Sequence, residues 1–186
     1  MPLYPYPEGN EVLIRTLNLQ PHPEAGFYCE TARTKETVPS PFADNATRSM
    51  ATQIYYLLTP DSPQGKMHMN KSITYHLLHQ GRAKYTLIRP ASSPSSSPKI
   101  KHVVMGADSS RGEVRQLVVE GGWWKASEIP EEDLQEGEKD TTGCLISEAS
   151  TLQTTNSSTS GGLVELFGGD ESHPAIEGLL PYTQER

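Results

Sequence analysis

Two histidines eight residues apart, His68 and His76, are the side chains of this chain best suited to moving a proton near neutral pH. An unperturbed imidazole titrates near ~6.5 and both donates and accepts. The same residue type also serves as a hydrogen-bonded core residue in β structures, and that reading stands beside the catalytic one for each. Tyr56 and Tyr85 offer phenolic hydroxyls, or amphipathic packing without chemistry. Gln116 carries an amide able to orient a carbonyl or to tie two strands together. Glu30 is a carboxylate inside the aromatic run GFYCET. Facing inward it needs a partner, Arg33 or Lys125, because an unpaired buried charge is costly; facing outward it needs none. Trp123 and Trp124 are adjacent, so on a strand one turns to the core and Trp124 is expected at the mouth of a pocket, where aromatic lining suits a hydrophobic or cyclic ligand.

These residues need strands to position them. From Gly26 onward short β-branched and aromatic runs alternate with Gly, Pro, Ser and Asp, and the pattern predicts strands over 26–33, 48–58, 73–80, 82–88, 100–105, 115–120 and 143–147. On the 73–80 strand, Thr74, His76 and Leu78 share one face, and Tyr75, Leu77 and His79 the other. Gly81 separates two alternating runs and predicts a tight hairpin at Gln80-Gly81. Upstream, Val12, Leu13, Ile14, Leu17 and Leu19 recur at helical spacing, predicting a short helix between Gly9 and Leu19 that Pro21 and Pro23 end. So many strands and so little helix imply an antiparallel sandwich or barrel. The Ser/Pro tract 90–98 reads as a flexible surface loop. The polar tract 149–162 reads as a linker between a single domain over 1–148 and a partly docked segment over 163–186, with 163–167 a helical turn or a strand and doubtful order beyond Gly168.

A length of 186 residues with 34% hydrophobic content fits one domain with room for a core and one cavity. The net charge of −7, from 23 acidic and 16 basic side chains, argues against a nucleic-acid partner. The first twelve residues have neither the basic start nor the apolar run of a signal peptide, and Ile54–Leu58 is far too short to span a bilayer. A cytoplasmic setting is expected, with Cys29 and Cys144 as reduced thiols in strands.

LQPHPEAGFYCET (19–31), ATQIYYLL (51–58), the block from His68 to Gly81, MGADSSRGEVRQLVVEGGWWKAS (105–127) and LISE (145–148) follow one another in the order seen in a family of small, uncharacterised cupins, the cupin-5 group, and the wording is most similar to its fungal branch. The resemblance covers about three-quarters of the chain. It implies an all-β double-stranded β-helix jelly roll, often dimeric, so that a homodimer is expected, and it implies no established reaction. The chain departs from the family's usual PHPEGGYFRET at Ala25 and Cys29, and the family's usual continuation after the SE dipeptide is replaced by the tract 149–162.

Metal-dependent cupins share a His-x-His frame followed by Glu and then Gly. Here the frame reads His68-x-Asn70, Thr74, Gly81, with the spacing intact and two of its three ligands gone. The last ligand of the second cupin motif, a histidine, corresponds to Lys125. A divalent metal needs about three or four converging N, O or S donors, so no metal and no other cofactor is expected. If Thr74 holds the inward ligand position, His76 faces the cavity with His68. The expectation is then a metal-independent enzyme that isomerises, epimerises, cyclises or eliminates on a small carbonyl compound, in a setting such as specialised metabolism. His68 and His76 would be catalytic, and Glu30, Tyr56, Thr74, Tyr85, Gln116 and Trp124 would bind substrate. The alternatives are a non-catalytic cupin that binds a small ligand, and a metal-dependent oxygenase or decarboxylase with an irregular ligand set.

Overall fold

The computed structural model describes residues 8–42, 44–93, 96–136, 138–151, 155–157, 160–167 and 169–183. In chain order the elements are α1 (Asn10–Thr16), β1 (Gln20–Pro21), β2 (Phe27–Arg33), β3 (Thr37–Pro39), β4 (Thr47–Ser49), β5 (Ala51–Leu58), β6 (His68–Asn70), β7 (Thr74–Gly81), β8 (Ala83–Arg89), β9 (Lys99–Met105), β10 (Gln116–Val119), β11 (Trp124–Glu128), α2 (Glu131–Glu136), β12 (Cys144–Thr151), β13 (Thr155–Ser157), α3 (Ser160–Leu166) and α4 (Ala175–Leu179). The strands form a six-stranded sheet, β1-β2-β5-β12-β7-β10, facing a five-stranded sheet, β13-β6-β11-β8-β9, with a small β3-β4 ribbon aside. Every paired strand of both sheets runs antiparallel. This is the jelly-roll sandwich that the strand pattern and the resemblance imply.

Alternation along each strand puts one set of side chains between the sheets and the other outside. β7 is the clearest case: Thr74 and His76 are buried while Tyr75, Leu77 and His79 are exposed. The predicted hairpin at Gln80-Gly81 is not one. β7 pairs with β12 and β10, whereas β8 pairs with β11 and β9, so Gly81 is the corner where the chain passes from one sheet to the other. Gly81 has φ +78, and a Cβ there would lie 1.8 Å from the Gly143 carbonyl oxygen, so only glycine turns this corner.

Three apolar clusters hold the layers. Leu58, Leu87, Met105, Leu117, Val119 and Ile146 fill the space between the sheets at one end. Leu13 and Leu19 pack on Leu57 and Leu145, so α1 covers the outside of β5 and β12. Helix α1 is shorter than the sequence predicts: Asn18 takes a left-handed φ of 54° and stops the helix before the prolines are reached. The third cluster joins Met67, Ile88 and Ala126 to Leu163, Leu166, Phe167, Ile176, Leu179 and Tyr182.

The C-terminal segment is therefore a docked pair of short helices on the outside of the five-stranded sheet, and order continues past Gly168 through α4 to Tyr182. The Met67 N–H donates to the Tyr182 carbonyl at 2.6 Å, anchoring it. The predicted linker 149–162 is also structured in part, because β12 runs to Thr151 and β13 pairs with β6. Of the Ser/Pro tract, residues 94 and 95 lie outside the described residues. No helix among the described residues is long and apolar enough to cross a membrane. Cys144 is buried in β12 and Cys29 half-buried in β2, both as free thiols.

Candidate active site

Between the sheets, bordering the large apolar cluster at Tyr56 and Tyr85, lies a cavity of about 50 Å3. The six-stranded sheet contributes Ile54 and Tyr56 from β5, His76 from β7 and Glu148 from β12; the five-stranded sheet contributes His68 and Asn70 from β6, Tyr85 from β8, and Lys125 and Ser127 from β11. The turn between β1 and β2 adds His22 and Glu24. Strand register explains the convergence: Ile54, Glu148 and His76 lie in one row across β5, β12 and β7, and Lys125 stands opposite His68 across β11 and β6.

Lys125 organises the floor. It is 2% exposed, and its Nζ donates to Glu148 Oε1 at 2.6 Å and to His76 Nε2 at 3.1 Å. An ammonium can only donate, so His76 Nε2 is the acceptor and the proton of the neutral ring sits on Nδ1, 3.4 Å from the Tyr85 hydroxyl and 3.7 Å from Glu148 Oε2. The Thr74 hydroxyl also points at Nε2, at 3.2 Å. Burial and the neighbouring Lys125 charge push the His76 pKa down to about 3, so the ring is neutral. Burial alone would raise Glu148, but the Lys125 ammonium, aided by His76 and His68, holds it down to about 2. Glu148 also accepts from Asn70 Nδ2 at 3.3 Å.

The other two histidines are fixed in opposite tautomers by backbone groups. His68 Nδ1 lies 2.9 Å from the Lys66 carbonyl, which only accepts, so Nδ1 carries the proton and Nε2 is left with a lone pair. His22 Nδ1 accepts the Glu24 N–H at 3.0 Å, so in the neutral ring Nε2 carries the proton. Both are lowered, His68 by burial and then Lys125, His22 by burial foremost. Glu24 Oε2 is 3.4 Å from His68 Nδ1. Tyr56 donates to the Ala25 carbonyl at 3.0 Å, and burial raises the pKa of both Tyr56 and Tyr85, keeping them protonated donors.

Of the residues singled out from the sequence, His68, His76, Tyr56 and Tyr85 line the cavity together, with Thr74 behind His76. Three do not. Glu30 is in register with Ile54 but at the open rim of the sheet, where its exposed carboxylate pairs with Arg33 at 2.5 Å. Gln116 is exposed on β10 opposite Leu77, and so on the outer face. Trp124 points the opposite way from Lys125 and packs against the C-terminal helices; Trp123 turns to the apolar cluster between the sheets. Conversely, Glu148, Lys125, His22 and Glu24 complete the site, and none of them is among the residues that the sequence assigns to catalysis or substrate. Glu148 was within reach: the strand predicted over 143–147 stops one residue short of it, and continuing the alternation from Ile146 would have turned it inward. Lys125 reads in sequence as a lost ligand or as a partner for Glu30, whereas the carboxylate it meets is Glu148.

The metal frame can now be tested on its geometry. His68, Asn70 and Lys125 do surround one space, but the ammonium stands in it, and its bonds occupy the His76 lone pair and one Glu148 oxygen that would otherwise ligate. The residues do not fit a divalent metal. Among the described residues no group of three or more His, Cys, Asp and Glu side chains is disposed to hold one.

The chain is 36% identical over 146 residues to the uncharacterised protein YML079W of Saccharomyces cerevisiae, covering 74% of this chain and 70% of the yeast protein. A hypothetical protein from Leishmania major superposes with a TM-score of 0.73 at 27% identity, over 92% of this chain and 98% of that one. Protein SO0799 from Shewanella oneidensis superposes with a TM-score of 0.72 at 16% identity, over 96% and 99%, a likeness of fold alone. The Cupin_5 profile, described as cupin superfamily (DUF985), matches residues 11–151. With the sandwich, the intact motif spacing and the yeast relative all in agreement, this chain belongs to the Cupin_5 family of the cupin superfamily, as a fungal-type member.

Proposed function

We propose that this cupin is a metal-independent enzyme that moves a proton on a small carbonyl compound, with isomerisation, epimerisation, cyclisation or elimination as the outcome. The observation that carries the reading is the pair of imidazoles held in complementary tautomers at one cavity: His68 with an Nε2 lone pair and His22 with an Nε2–H. His68 Nε2 takes a proton from the carbon beside the carbonyl. The electron pair of the broken C–H bond moves onto the carbonyl oxygen, which the His22 N–H stabilises as a neutral imidazole polarises a carbonyl. Returning the proton to the other face or to another carbon, or expelling a leaving group, completes the reaction without an oxidant or a co-reactant. His76 has both nitrogens engaged, so it holds Lys125 and Glu148 in place rather than acting as the base.

Exchange of substrate hydrogens in D2O tests this without knowledge of the product. Small hydroxy-ketones incubated with the protein should lose protium beside the carbonyl. His68→Gln should lower that exchange at least a hundredfold with an unchanged circular dichroism spectrum. Wild-type exchange in His68→Gln would falsify the assignment. A binding-only role is the second reading, favoured by the small volume and by the closed Lys125–Glu148 pair; it predicts saturable binding with no exchange at all.

A further inference from the structure

The charges around the cavity restrict what can enter it. Among the lining residues the single fixed cation is Lys125, and it already donates to Glu148 at 2.6 Å. An anion at the third Lys125 N–H would stand beside Glu148, a carboxylate that is 15% exposed and already balances the ammonium, or would displace it from its partner. It would also approach Glu24, whose side chain is 14% exposed at the same wall. The imidazoles offer no compensating charge, since burial and Lys125 keep them neutral. The walls thus bear two carboxylates against one ammonium, while the whole chain carries −7. Neutral hydrogen-bonding groups are abundant: the His68 lone pair, the His22 N–H, and the Tyr85 and Ser127 hydroxyls. A donor set of this kind holds a carbonyl oxygen, and the acceptors hold adjacent hydroxyl protons. The volume of about 50 Å3 has room for a few waters, and so for a fragment of about three to six heavy atoms.

We infer that the part of the ligand entering this cavity is an uncharged hydroxy-ketone or hydroxy-aldehyde, and that carboxylates and phosphates of the same size are rejected. The inference rests on the cavity being the substrate site, though not on turnover there.

Dihydroxyacetone, pyruvate and inorganic phosphate are suitable probes, titrated at pH 7.5 while the His68 and His22 ring resonances are followed by NMR. Dihydroxyacetone should shift those resonances with at least tenfold tighter binding than either anion. Pyruvate or phosphate binding as tightly as dihydroxyacetone overturns the inference and leaves the reading of the cavity as a substrate site intact. If no probe perturbs the histidines, both fail. Glu148→Gln frees Lys125, so pyruvate affinity should rise at least tenfold in that variant while dihydroxyacetone affinity changes less. Should the variant misfold, the wild-type series alone decides.

Discussion

On their inner face, β6, β8 and β11 carry His68, Tyr85, Lys125 and Ser127 to the cavity; on their outer face, β8 and β11 lay Ile88, Trp124 and Ala126 against the C-terminal helices. The same backbone ladder serves both. Outside, stability comes from apolar area removed from water, where each side chain contributes by itself and neighbours can partly close a gap. Inside, it comes from charges that tolerate burial only in one another's company. A loss on the outer face is local. One on the inner face strands its partner.

The sharpest break of this contrast is Lys125→Met, which leaves Glu148 buried without its cation. It should cost about 3–5 kcal/mol in urea unfolding, and adding Glu148→Leu should restore most of that. If the double variant is no more stable than the single one, the inner face is not governed by pairing. Next, Leu163→Ala on the outer face, at a side chain 0% exposed, should cost about 3 kcal/mol with no compensating second-site change from the cavity and an unaltered pH profile.

Acid separates the faces further. Glu148 and His76 both have folded pKa values, about 2 and about 3, below their ordinary values of 4.5 and 6.5. The unfolded chain therefore binds more protons than the folded one in these windows. Stability is fully present above pH ~6.5, the ordinary imidazole value, and falls as pH drops, first through His76, with His68 and His22 lowered alongside it, and then through Glu148. Thermal midpoints measured between pH 8 and 3 should decline from near pH 6.5 downward, and His76→Asn should make the decline above the carboxylate range shallower, with His68 and His22 carrying what remains of it. A midpoint independent of pH over that span contradicts the inner-face account.

The smallest effect lies at the rim. Ala25 has φ 71 and its carbonyl accepts from Tyr56. An L-residue pays for that left-handed backbone, so Ala25→Gly should raise stability by about 1 kcal/mol in the same urea assay without moving the pH profile.

Much of this was legible in the chain. Alternation in Ile73–Gln80 assigned His76 to the buried face and Leu77 to the exposed one, and with Thr74 read as inward it turned His76 toward the same space as His68, where both stand. Glu30 was misplaced because alternation gives a face but not a distance from the rim. Gln116 was misplaced because the phase of a short edge strand is not fixed by QLVV. The hairpin at Gly81 was misread because a sheet-to-sheet corner and a two-residue turn need the same left-handed glycine, and pairing partners far along the chain decide between them.

By itself, the sequence determined the strand-rich architecture, the family, and the loss of ligands at Asn70, Thr74 and Lys125, since periodicity and residue type are local properties. Only the tertiary structure decided that Lys125 meets Glu148 and His76, that His22 joins His68 at the same cavity, and that the C-terminal helices close the outer face. Those residues are brought together by register between strands remote in the chain, and their tautomers and charges follow from neighbours that no local pattern encodes.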